Sequence, residues 1–68
     1  MKLEQFRVEK KLSYGQLASR LAAGHATIVR RWCLPNTHKD SKVPSKKYML
    51  RIINYTQNAV QPNDFYNE

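Results

Sequence analysis

Apolar residues recur along this chain at helical spacing. Leu3 and Phe6 stand at i and i+3 within the charged stretch from Lys2 to Lys11, which predicts a short helix docking one narrow stripe. Next, Ser13 and Gln16 have the spacing of a capping box, in which hydroxyl and amide each satisfy a backbone group left free at a helix start. A second helix is predicted there, turning Leu17, Ala18 and Leu21 inward. The small residues Ala22-Ala23-Gly24 interrupt the pattern, with Gly24 able to turn the backbone at low steric cost. A third helix is predicted from His25 to Cys33. Ile28 and Trp32, at i and i+4, are expected to face its core, leaving His25, Ala26, Val29 and Arg30 outside.

Pro35 ends that helix, because proline restricts Leu34 before it and cannot donate to the helical ladder. The polar stretch from Asn36 to Lys42 reads as an exposed loop. Pro44-Ser45 opens a fourth helix with Ser45 as N-cap, and Met49, Ile52, Ile53 and Thr56 repeat on one face. Gln57-Asn58 marks its end, and Pro62-Asn63-Asp64 caps a last single turn carrying Phe65 and Tyr66. Nothing alternates as a sheet would. The expected fold is all-α, a compact bundle of four to five helices. One domain spans residues 1–68, since a chain of 68 residues encloses only one small core.

Composition narrows the function by exclusion. A lone cysteine, Cys33, rules out an intramolecular disulfide, so the fold stands on packing. With His25 and His38 it is too sparse for a structural zinc site, and neither metal nor cofactor is expected. The chain shows no close acid pair, no nucleophile beside a base and no phosphate-cradling glycine loop, so it is not expected to be an enzyme. No run of about eighteen apolar residues spans a membrane. The opening MKLEQFRVEK lacks the apolar core of a secretory signal, and a cytoplasmic, nucleoid-associated location is expected.

Charge points to a partner. Twelve Lys and Arg against five Asp and Glu give a net charge of +7. Ten of those basic residues lie between Lys10 and Arg51, where the only acid is Asp40. An excess distributed this way suits a polyanion, through counterion release from nucleic acid, although a merely solubilising surface explains net charge equally well.

Two short helices joined by a tight turn, the second facing outward, are the ingredients of a DNA-reading helix-turn-helix pair. In that order and spacing, Leu12-Ser13, Leu17-Ala18, Leu21, Thr27-Ile28, Arg30 and Trp32 resemble the Cro and phage-repressor type of regulator, the XRE group. Downstream, Pro44-Ser45, Met49, Arg51-Ile52, Thr56, Ala59-Val60 and Pro62-Asn63-Asp64-Phe65-Tyr66 resemble the tail of its short bacterial members. The resemblance implies a lambda-repressor-like bundle in which the helix from His25 to Cys33 is the recognition helix. It assigns base-edge contacts to His25, Ala26, Val29 and Arg30, with Thr27 at the margin, and phosphate contacts to Ser13, Tyr14 and Gln16. Three departures stand out. Group members often carry glutamine at Tyr14, glycine at Ala22 and serine at Gly24. Their tryptophan comes three residues after the apolar residue matching Ile28, whereas Trp32 comes four after it. Either Ile28 still faces inward with Trp32, the preferred reading, or the register shifts. In the shifted register Val29 turns inward, and Ile28 and Arg31 join the reading surface.

Arg30 is the leading reader, because a guanidinium pairs bidentately with guanine O6 and N7. Ala26 and Val29 suit thymine methyls, and Arg31 suits a phosphate. Lys39, Lys42, Lys46 and Lys47 suit flanking phosphates or a solvated loop alike. Tyr48, Tyr55, Phe65 and Tyr66 read either as a homodimer interface or as the core of a monomer. The expected function is a sequence-specific, double-stranded DNA-binding transcriptional regulator, repressor or activator, of bacterial or phage type. Its rivals are a small RNA-binding basic protein and a protein-interaction module, such as an antitoxin that covers a protein partner.

Overall fold

The computed structural model describes residues 1–66, which form four α-helices and a closing 3₁₀ turn. These are α1 (Leu3–Glu9), α2 (Tyr14–Arg20), α3 (Ala26–Cys33), α4 (Lys46–Tyr55) and the turn Pro62–Phe65. No strand occurs among the described residues. The radius of gyration is 10.6 Å, close to the roughly 11 Å expected of a compact chain this long. No helix among the described residues is long and apolar enough to cross a membrane.

Helix starts follow the sequence closely. At α2, the Gln16 N–H donates to the Ser13 hydroxyl at 3.1 Å and the Ser13 N–H donates to the Gln16 side-chain oxygen at 2.8 Å. That is the capping box. Ser45 is the N-cap of α4, but its side chain makes no capping bond.

Helix ends hold the surprise. α1, α2 and α4 each close through a left-handed residue that is not glycine: Lys11, Ala22 and Gln57, at φ 57°, 56° and 54°. In each case that residue and the next donate back into the last turn. After α2, Ala22 N–H reaches the Ser19 carbonyl at 3.2 Å and Ala23 N–H reaches that of Ala18 at 2.9 Å. The pattern is the Schellman closure, which satisfies carbonyls that a helix end leaves orphaned. A non-glycine residue there costs about 1–2 kcal/mol. Leu12 and Ala23, which follow two of these residues, pack against the core and offset part of that cost. Gly24, expected to turn the chain, has no left-handed φ, so Ala22 does that work instead.

The register of α3 also differs from the preferred reading. Val29, expected outside, is fully buried, while Ile28, expected as the inner anchor, is only half-buried. The cause lies upstream. After the C-cap Leu21, the turn spends Ala22, Ala23 and Gly24 before α3 is capped by His25. A serine at position 24 would be a good N-cap and start the helix one residue earlier. With α3 beginning at Ala26 rather than at the expected His25, the inward position is Val29 instead of Ile28. Val29 and Trp32 then stand at i and i+3 on the inner face.

One core gathers Leu3 and Phe6 of α1, Leu17, Ala18 and Leu21 at α2, Val29 and Trp32 of α3, Met49 and Ile52 of α4, and Val60 and Phe65. α3 packs chiefly on α2, where buried Ala18 allows close approach, and also touches α1. The aromatics tie α4 to its neighbours: Phe6 meets Tyr55 edge-on at 5.8 Å between ring centres, and Trp32 meets Tyr48 at 5.2 Å. The buried Thr56 hydroxyl donates to the Ile52 carbonyl at 2.7 Å and accepts from the Val60 N–H at 3.2 Å.

Candidate nucleic-acid interface

With Val29 and Trp32 inward, the helical repeat decides what α3 presents to solvent. Thr27 sits at the middle of the outer face, with Arg30 and Arg31 on either side of it at i+3 and i+4. All three are exposed, and neither arginine has an acid partner among the described residues. Ala26 lies at the edge of that face and is exposed. His25, the exposed N-cap, makes no side-chain capping bond. Of the expected base-contact set, His25, Ala26, Thr27 and Arg30 are therefore exposed together at one end and face of α3. Val29 is removed from the set, because a side chain with no exposed surface cannot touch a base edge. Thr27 moves from margin to centre, and Arg31 joins the face.

The loop after α3 is fastened beside it. Lys42 N–H donates to the Arg31 carbonyl at 3.1 Å, and the Ser41 hydroxyl reaches the Leu34 carbonyl at 3.4 Å. Within the loop, the Asp40 N–H donates to His38 Nδ1 at 3.1 Å. Lys42 thus stands next to the end of the arginine face. Lys39, Lys46 and Lys47 are exposed along the loop and the first turn of α4. Lys47 also lies 5.8 Å from the Tyr48 ring centre, within the range of cation–π attraction.

The expected phosphate contacts at the start of α2 separate. Ser13 and Gln16 are exposed, but Ser13's hydroxyl and Gln16's side-chain oxygen are already engaged in the capping box. The Gln16 side-chain NH₂ is its remaining donor. Tyr14 is half-buried, with the Arg7 guanidinium 4.2 Å from its ring centre, and lines a groove with Trp32 and Cys33. The four aromatics considered for a homodimer separate as well. Phe65 is buried in the core, and half-buried Tyr48 and Tyr55 pack against Trp32 and Phe6 within the fold. Tyr66 is the one left open, 64% exposed. Phe65 is withdrawn from a dimer surface for the same reason as Val29 from the base contacts.

Near the chain's beginning and the 3₁₀ turn, several charges are paired. Arg7 clasps Glu4 through two nitrogens at 2.8 and 2.6 Å and donates a third bond to the Leu12 carbonyl at 2.8 Å. The hydrogen bond from Arg7 holds the Glu4 carboxyl below its ordinary range and raises the guanidinium in turn. The Met1 ammonium reaches the Ala59 carbonyl at 2.7 Å and the Asp64 carboxylate at 3.2 Å, while the Lys2 ammonium reaches the Asp64 carbonyl at 2.8 Å. Burial works against the Asp64 charge, but the Gln61 N–H and the Met1 ammonium together hold its carboxyl down. Cys33 lies in the groove between α1, the end of α3 and the 3₁₀ turn, a space of about 580 Å³. Burial, reinforced by Glu4, pushes its thiol up to about 12, which keeps it protonated and unreactive. No cluster of metal-ligating side chains occurs among the described residues.

Compared with protein-family models, curated proteins and solved structures, the chain has no significant match to any of them.

In the sequence Arg51 figures only in the basic stretch and the downstream resemblance, with no role of its own. Its guanidinium contacts the turn between α2 and α3, yet an arginine at the border of an apolar stripe has the same sequence signature as any surface arginine.

Proposed function

We propose that this chain is a sequence-specific, double-stranded DNA-binding transcriptional regulator of helix-turn-helix type, with α3 reading the major groove. One observation carries the reading: the outer face of α3 sets Thr27 between Arg30 and Arg31, with no acid partner for either among the described residues. The inner face of the same helix is clamped into the core by Val29 and Trp32. A rigid helix with a bare cationic face fits the major groove, where arginine pairs with guanine and threonine meets adenine, guanine or the thymine methyl. Lys42, next to the end of that face, and Lys46 and Lys47, in the first turn of α4, are suited to the phosphates of one flanking strand. The RNA-binding alternative needs exposed aromatics for base stacking, and this face has none.

The test is selection of bound sequences from a random duplex pool at fixed salt. Enrichment of a short motif is the expected result, and its symmetry, with sedimentation of the complex, gives the stoichiometry. Equal binding to every duplex sinks the base-reading role. On the selected duplex, Arg30→Ala and Arg31→Ala should each cost about 1–3 kcal/mol and relax preference at one position. A loss that is uniform across sequences reassigns the residue to phosphate.

A further inference from the structure

α3 can read bases only if its angle to the rest of the domain is held, and its N-terminal end hangs on a turn with a strained residue. Ala22 is left-handed at φ 56°. The carbonyls of Leu21 and Ala22, at the C-terminal end of α2, accept no backbone N–H among the described residues. Arg51 of α4 fills that vacancy. Its Nη1 donates to the Ala22 carbonyl at 3.3 Å and to the Leu21 carbonyl at 3.4 Å. A cation at this position also meets the negative end of the α2 dipole. The same guanidinium lies 5.3 Å from the Tyr48 ring centre, and the Tyr48 ring packs at a tilt against Trp32, the inner anchor of α3 near its other end. The three side chains connect the turn before α3 with the last turns of α3 itself.

We infer that Arg51 is a positioning residue for DNA recognition: it braces the α2–α3 turn and, through Tyr48 and Trp32, sets the angle at which α3 presents Thr27, Arg30 and Arg31. The inference rests on the DNA-reading role of α3. Half-buried Arg51 acts through the turn rather than by touching DNA, so removing it should impair discrimination between sequences more than general attraction to DNA. Supporting contacts have this effect because a recognition group displaced by about 1 Å loses its directional hydrogen bonds while keeping its charge.

The experiment compares wild type, Arg51→Ala and Arg51→Lys in two ways. The first is amide hydrogen exchange without DNA. Protection at Ala22 and Ala23 should fall about tenfold in Arg51→Ala, as for the loss of a charged hydrogen-bond partner. The equivalent closures at Lys11–Leu12 and Gln57–Asn58 should stay unchanged and act as internal controls. Unchanged protection at Ala22 and Ala23 overturns the brace. The second readout is affinity for the selected duplex and for a scrambled duplex of equal length and salt. Arg51→Ala should lose about tenfold of the preference between them. Arg51→Lys should keep the wild-type affinity for the scrambled duplex without restoring the preference, because an ammonium cannot span two carbonyls while lying on a ring. Full recovery of both affinities by Arg51→Lys makes Arg51 a simple charge and overturns the inference. If Arg51→Ala does not fold, Arg51→Lys carries both readouts. Should wild type itself show no preference, the DNA-reading role fails, and hydrogen exchange alone decides the brace.

Discussion

Two regions of this domain use the same kinds of charged residue in opposite ways. Where the chain's beginning meets its last turn, every charge named has a partner: Arg7 with Glu4, the Met1 ammonium with Asp64, Lys2 with the Asp64 carbonyl. On the outer face of α3 and the loop behind it, Arg30, Arg31, Lys39 and Lys42 have no acid partner among the described residues. The first region holds the fold closed, with acids consumed as internal counter-ions. The second keeps its cations in solvent, where they contribute little to stability and are available to a polyanion. Net charge alone does not separate these uses. The placement of five acids does, because four of them lie near the ends of the sequence.

The largest expected effect comes from the anchor on which the α3 face depends. Trp32→Ala should cost about 3–5 kcal/mol. A domain this size has only about 3–10 kcal/mol to lose, so much of the population should unfold at 25 °C. A urea midpoint close to wild type would show that α3 does not depend on its inner anchor. Thr56→Val comes next. It strands the Val60 N–H in the core and should cost about 1–3 kcal/mol, read in the same titration.

Sharper separation of the two regions comes from the arginines and from pH. Arg30→Ala and Arg31→Ala, which the proposed function expects to weaken DNA binding, should leave folding stability within about 0.5 kcal/mol. A larger stability loss would mean that the face is structural after all. Acidification should do the reverse. Glu4 and Asp64 have carboxyls held below their unfolded values, so their contribution is complete above about pH 4. It is lost as pH falls through the lowered folded values. Thermal melting at pH 6, 4 and 2.5 should show this decline, with a shallower slope in Asp64→Asn; identical slopes would remove the terminal pair from the account. The smallest expected effect is a gain. Ala22→Gly relieves the left-handed strain but loosens the unfolded chain, leaving a net stabilisation of a few tenths to about 1 kcal/mol. Lower stability would show that Ala22's methyl makes a contact worth more than its strain.

Much of the architecture was legible because it depends on local chemistry. The Ser13–Gln16 box, the proline after Leu34 and the stripe ending at Thr56 all act within a few residues of themselves. The outward face of α3 was harder. One extra residue in a turn rotates every following side chain by about 100°. Ile28 and Val29 are both β-branched and apolar, so neither composition nor periodicity distinguishes the inward one. The aromatic cluster stayed open between dimer surface and core for a related reason, since Phe65 and Tyr66 are adjacent and similar, yet one is buried and the other 64% exposed.

The sequence by itself determined the helical elements, the single core and the basic middle bounded by acidic ends, since spacing, capping and charge are properties of the chain. Tertiary structure alone decided that α3 is capped at His25, that Val29 is core, and that Arg51 of α4 reaches the α2–α3 turn. These depend on how far one helix ends from the start of the next, and on contacts between residues about thirty positions apart, which no local pattern encodes.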